Sequence, residues 1–174
     1  MPSLRRLLVA TLTCWAATAW ADAPSPQRVE TAGIALAVSV NAEVTTQRLG
    51  DGQTLVVVTE GRAVLLLTVY RAKRVPTLAK ALDVHEESIH ERYGQRGGTV
   101  KRLPATRVAL LKKRRKARAI LVGSDEGQRV VRWTAVRPER GFLLVAAWSV
   151  PEDAERGGRD LDVMTVLSSI ERAP

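Results

Sequence analysis

Two segments of this 174-residue chain are apolar on both faces of an extended backbone, and that restricts the folds open to it. In residues 62–71, Val64, Leu66 and Tyr70 alternate with Leu65, Leu67 and Val69. Phe142-Leu143-Leu144-Val145-Ala146-Ala147-Trp148 has no polar position at all. Successive side chains of a strand point to opposite faces. A strand that is apolar on both faces needs cover on both, so these two belong inside a sheet with a layer packed on each side.

The remaining elements fit around such a sheet. Residues 34–40 form a short apolar strand, and residues 53–59 pair with 62–71 as a hairpin across Glu60-Gly61. Residues 76–93 read as a helix, with Pro76 in its first turn and Gly94 at its C-terminal cap. Leu78, Leu82, His85, Ile89 and Tyr93 form one stripe, with Lys80, Glu86, Glu87, His90 and Arg92 largely elsewhere. Gln95 to Gly98 is a loop. Four strands follow at residues 107–112, 117–122, 128–137 and 142–149, joined by turns at 123–127 and 137–141. Short connections imply an antiparallel meander. After the Gly157-Gly158 break, Leu161, Met164, Leu167 and Ile170 give a closing helix a narrow apolar stripe. The order predicts an α+β fold: an antiparallel β-sheet meander flanked by helices, an α/β/α sandwich.

This layout resembles the PsbP-like and Mog-like α/β/α sandwich group. The resemblance is carried by the strand pair within 53–71, the helix at 76–93 and the meander across 107–149. It is also carried by the ending Leu167-Ser168-Ser169-Ile170-Glu171-Arg172, similar to a common close of that group. It spans residues 31–172. The group includes exported lipoproteins and small secreted proteins, mostly with accessory or binding roles. The resemblance therefore implies a protein that is not an enzyme, and no functional residue is carried over from it.

The first 21 residues read as a secretory signal peptide. Arg5 and Arg6 form its positive region, residues 7–20 its apolar region, and Ala19-Trp20-Ala21 its cleavage site. The apolar region is shorter than the roughly 20 residues that cross a bilayer as a helix. The expected organisation is a signal peptide at 1–21, an extended segment at 22–30 and a single domain at 31–174. The expected location is periplasmic or secreted, with no transmembrane segment in the mature chain. Cys14, the only cysteine, leaves with the leader, which removes disulfide and thiolate chemistry. The residues around Cys14 do not fit a lipid-anchor signal.

Catalytic and metal signals fail on spacing. His85-Glu86-Glu87-Ser88-Ile89-His90 is one residue too long for the H-E-x-x-H zinc motif. On a helix, positions i and i+5 lie about 140° apart, so His85 and His90 diverge. Ser124 directly follows Gly123 between two strands, which suits a turn and not a nucleophile elbow. No phosphate-loop pattern is present, and no cofactor is expected.

Charge is the remaining signal. The leader holds two of the 27 basic residues and none of the 18 acidic ones, leaving about +7 on the mature chain. Lys112, Lys113, Arg114, Arg115, Lys116 and Arg118 concentrate that excess in one run, expected at a hairpin tip. Such a cluster binds anionic surfaces by additive, salt-sensitive contacts. It also serves as a solvated turn that discourages edge pairing. No aromatic lies within the run to stack on bases, so nucleic acid is not an expected partner. The expectation is an exported, non-enzymatic binding or accessory protein. Its basic hairpin would meet an acidic protein, an anionic lipid or a polysaccharide. The alternative is a periplasmic carrier of a lipid or other apolar ligand, held in a cavity of some hundreds of Å³ between sheet and helices.

Overall fold

The computed structural model describes residues 25–50, 52–94, 98–124, 127–153 and 162–173. The leader with Cys14, most of the Gln95–Gly98 loop, Asp125-Glu126 and the Gly157-Gly158 break lie outside these residues.

Seven strands form one antiparallel sheet. They are β3 (Glu43–Gly50), β4 (Gln53–Glu60), β5 (Ala63–Arg71), β6 (Thr99–Leu110), β7 (Lys113–Ser124), β8 (Gly127–Glu139) and β9 (Phe142–Pro151), in the order β3-β4-β5-β9-β8-β7-β6. The two strands apolar on both faces, β5 and β9, are neighbours, and β9 is at the centre. Leu65 pairs with Trp148, and Leu67 with Ala146. Every residue of β9 but Ser149 is buried.

The helix α1 (Leu78–Gly94) covers one face of this sheet. Its stripe presses Leu82, Ile89 and Tyr93 against Ile120, Val122, Val131, Trp133 and Ala147. The opposite face is covered by a small second layer. There β1 (Gln27–Thr31), β2 (Ile34–Val38) and β10 (Glu171–Arg172) form a three-stranded sheet ordered β1-β2-β10, joined by α2 (Val163–Ser169). Ile34, Leu36, Val38, Val166, Leu167 and Ile170 from this layer enter the larger core with Leu65, Leu67, Leu144 and Trp148. The α+β sandwich predicted from the sequence is the observed architecture.

The closing helix buries Leu167 and, at its C-cap, Ile170 of its expected stripe but not Met164, and Leu161 lies outside the described residues. It buries Val163, Val166 and Leu167, while Met164 is 46% exposed. Asp162 caps its N-terminus, accepting hydrogen bonds from the Thr165 amide at 3.0 Å and from the Thr165 hydroxyl. The hydroxyl, followed by the amide, holds the Asp162 carboxyl below its ordinary value. Ser169 ties α2 to β2 by accepting from the Ala37 amide at 2.9 Å.

Three strands escape the sequence reading. β1 begins inside the segment expected to be merely extended. β3 is an edge strand exposed along nearly its whole length, so no apolar pattern marks it. β10 has two residues. The meander strands also run beyond their apolar stretches. β6 starts at Thr99 and carries a bulge between Leu103 and Thr106, at Pro104-Ala105, on the open edge of the sheet. Proline, a bulge and the charges of Lys101, Arg102 and Arg107 suit an edge that resists further pairing.

Candidate functional site

The basic run does not sit at a hairpin tip as expected. The β6–β7 turn is only Leu111-Lys112, both with left-handed backbone at φ 48° and 59°. Two such residues match the hairpin twist, a role usually given to Asn-Gly, and so the sequence did not mark this turn. Lys113, Arg114, Arg115, Lys116 and Arg118 belong to β7. Alternation then divides them. Arg114, Lys116 and Arg118 share the α1 face with Ile120, whereas Lys113 and Arg115 share the opposite face with Ala117.

The six cations have different surroundings. Lys112 meets Glu171 of β10 at 2.9 Å, which holds that carboxyl below its ordinary value. Arg115 is half-buried, with Nε enclosed and lacking a hydrogen-bond partner. Lys113, Arg114 and Lys116 are exposed and have no carboxylate partner among the described residues, as does Arg107, which pairs across the ladder with Lys116.

Arg118 builds a second feature. Its Nη1 lies 2.8 Å from Asp83 and 2.7 Å from Glu86, both on α1, and Arg102 of β6 reaches Glu86 at 2.6 Å. These groups line an open cleft of about 640 Å³ between α1 and the β6–β8 end of the sheet, floored by Ala119, Ile120 and Trp133. Glu86 was expected on the solvent side of the helix, but its side chain is only 14% exposed. Its position three residues before Ile89, on the flank of the stripe, is the one sequence signal that could have found it. Burial raises the Glu86 carboxyl, but the hydrogen bonds from Arg118 and Arg102 outweigh this and hold it below its ordinary value. Asp83 and Glu86 raise Arg118 in turn. The cleft's cations are therefore already neutralised, and the network fastens α1 to the sheet.

Replacing Glu86 with alanine should cost about 1–2 kcal/mol at neutral pH. Hydrogen bonds to charged groups contribute roughly 1.5–3 kcal/mol, discounted here because the Arg102 side chain is largely exposed. A depressed carboxyl stabilises the fold above its unfolded pKa. That contribution is lost as pH falls through the lower folded value. Urea melts of parent and E86A should therefore differ at pH 7 and converge in acid. A gap that persists unchanged in acid would assign the loss to packing.

The histidines behave differently from each other. His85 packs toward the sheet, its ring 6.4 Å from that of Trp133 and tilted by 46°. Burial, then Arg92, lowers its pKa. His90 is exposed at the cleft rim. An apolar pocket between α1 and the sheet, lined by Leu66, Ile89, Tyr93, Val131 and Trp148 among others, holds only about 90 Å³. Ser124 is the last residue of β7. Trp133 and Trp148 are buried and offer no free stacking face. No described helix is long and apolar enough to cross a membrane.

No protein-family model matches this chain, and no curated protein matches it in sequence. In three dimensions it is similar to the solution structure of cyanobacterial PsbP (CyanoP) from Synechocystis sp. PCC 6803. The TM-score is 0.57 at 15% identity, over 85% of this chain and 92% of that one. A crystal structure from Bacteroides thetaiotaomicron VPI-5482 is similar at TM-score 0.50 and 8% identity, over 86% of this chain and 49% of that one. The fold is PsbP-like, whereas neither of these structures supports the Mog-like part of the resemblance.

Proposed function

We propose that this chain is an exported, non-enzymatic accessory or binding protein that docks on an anionic surface through its β6–β7 hairpin. The observation that carries this reading is a cluster of free cations around the β6–β7 hairpin, Arg114 and Lys116 on one face of β7 and Lys113 on the other. Lys113, Arg114 and Lys116, with Arg107 opposite, are exposed, lack carboxylate partners among the described residues and lie at one end of the sheet. Charges so placed attract an anion without giving up any internal ion pair. The PsbP-like fold supports an accessory role, since members of that group mostly act as accessory or binding proteins. The leader-like residues 1–21 support export.

The small apolar pocket favours this reading over the carrier. It holds only about 90 Å³, while the larger cleft of about 640 Å³ is open and lined by Asp83, Glu86, Arg102 and Arg118, so neither is a closed apolar cavity of some hundreds of Å³. The chain should cosediment with phosphatidylglycerol-containing vesicles at low salt and leave them as salt rises, because screening shortens to about 3 Å at 1 M. Parallel assays with an acidic polysaccharide and an acidic protein identify the kind of surface. Absence of binding to all three at low salt, or binding indifferent to salt, overturns the reading.

A further inference from the structure

We infer that the docking surface is one whole end of the large sheet, of which the hairpin is a part, and that this end lies on the headgroups of an anionic lipid bilayer. The inference rests on the hairpin reading and gives it an extent and a partner. The ladders bring three chain-distant segments to this end. Arg71, the last residue of β5, and Glu139, the last of β8, both pair with Phe142 at the start of β9. β7 begins at the same end, because its last residue, Ser124, pairs with Gly127 at the start of β8. The Ala72 amide donates to the Gly141 carbonyl at 3.1 Å, which ties the exit of β5 to the β8–β9 turn. Lys73 and Arg74 follow Ala72, Arg137 and Arg140 bracket Glu139, and Lys113 and Arg114 begin β7. All six cations are exposed.

The described carboxylates at this end are already engaged by other cations. Glu171 takes Lys112 at 2.9 Å, Glu139 takes Arg172 at 2.6 Å, and Glu30, beside the β1–β2 turn, takes Arg28 at 3.1 Å. A carboxylate at Asp51, which lies outside the described residues, would still leave five of the six unmatched. Three features then select a bilayer. From β5 to β7 is three interstrand steps, about 14 Å, beyond the screening length of about 8 Å at physiological salt. A small anion cannot engage both sides of such an array, whereas a plane of headgroups can. Lys113 and Arg114 leave opposite faces of β7, and the six line neither the α1 cleft nor the apolar pocket. The array has breadth and depth without a groove, which suits a plane better than a single polysaccharide chain. Protein interfaces, for their part, are built on an apolar centre depleted in charge. None of the exposed large apolar residues, Val40, Leu49, Val84 and Met164, lies in the segments that carry these cations.

The test titrates the parent chain and two double variants, K73Q/R74Q and R137Q/R140Q, onto vesicles of phosphatidylglycerol in phosphatidylcholine at low salt. Each cation near an acidic membrane is worth about a factor of five, so each pair should weaken binding roughly twenty-fivefold and all four together several hundredfold. Circular dichroism melts should stay unchanged. Since Lys73 adjoins the tie at Ala72, K73R/R74K keeps the charges there and should bind like the parent. Full affinity in the fourfold variant, beside a loss on changing Lys113, Arg114 and Lys116, overturns the inference and leaves the hairpin reading standing. Full affinity in both overturns both. Equal binding to pure phosphatidylcholine, or binding to a soluble acidic polysaccharide that needs these four residues while the parent ignores the vesicles, overturns the assignment to an anionic bilayer.

Discussion

Replacing Trp133 with alanine is expected to destabilise the fold by about 3–5 kcal/mol, the usual cost of emptying a large aromatic site in a core. Trp133 is 1% exposed and lies among Ile89 of α1 and Ile120, Val122 and Val131 of the sheet. Its indole N–H donates to the Leu82 carbonyl at 3.2 Å, so the side chain also joins β8 to α1. Truncation would leave a cavity under the helix and remove that tie. Phenylalanine at the same position keeps most of the apolar area but loses the hydrogen bond and leaves a smaller cavity, so W133F should recover about half of the loss. Chemical denaturation of both variants gives the comparison. A loss below about 1 kcal/mol in W133A would mean that α1 settles onto the sheet without it, well outside the range for such truncations.

Changing Lys113, Arg114 and Lys116 together to glutamine is expected to weaken docking on anionic vesicles about a hundredfold. Each cation near an acidic membrane is worth about 1 kcal/mol, and about 1.4 kcal/mol is a factor of ten. The fold should survive, because all three side chains are exposed and none anchors another element. Arg118 and Arg115 are left in place for the opposite reason: Arg118 holds α1 through Asp83 and Glu86, and Arg115 is half-buried. Vesicle affinity at low salt, with a circular dichroism melt as control, measures both halves. Unchanged affinity would leave these cations as solubilising residues on a protected edge.

The parts of the fold that bury apolar side chains were legible in the sequence. β5 and β9 announced a covered central position, because Leu65, Leu67, Leu143 and Leu144 leave no face for water. α1 announced its phase through Leu82 and Ile89. Elements held mainly by backbone hydrogen bonds left no such mark. β3 pairs with β4 from Glu43 to Gly50 using mostly polar residues, and the start of β7 is a row of cations laddered to β6. A ladder constrains the main chain and is indifferent to exposed side chains, so the basic run was read as a tip when it is mostly strand. In the closing helix Leu167 and Ile170 were read correctly and Met164 was not, because over only seven residues Val163 and Val166 offer an equally apolar flank to the core. The Asp83–Arg118–Glu86 contact joins positions 32 to 35 residues apart, beyond the reach of any local spacing rule.

The small layer that covers β2 sets the order in which this protein can finish folding. Ser169 reaches the backbone of Ala37 across 132 residues, and β10 pairs with β2 at Ala35 and Ile34. The hairpins of the large sheet and α1 use near neighbours in the chain and can form while synthesis continues. β2 cannot receive its second partner until Glu171 and Arg172 have left the ribosome. Ile34, Leu36 and Val38 therefore wait through more than a hundred further residues of synthesis without α2 and β10, and sealing them is a slow step of high contact order. A chain kept unfolded until it is complete would avoid exposing that strand to the wrong neighbour.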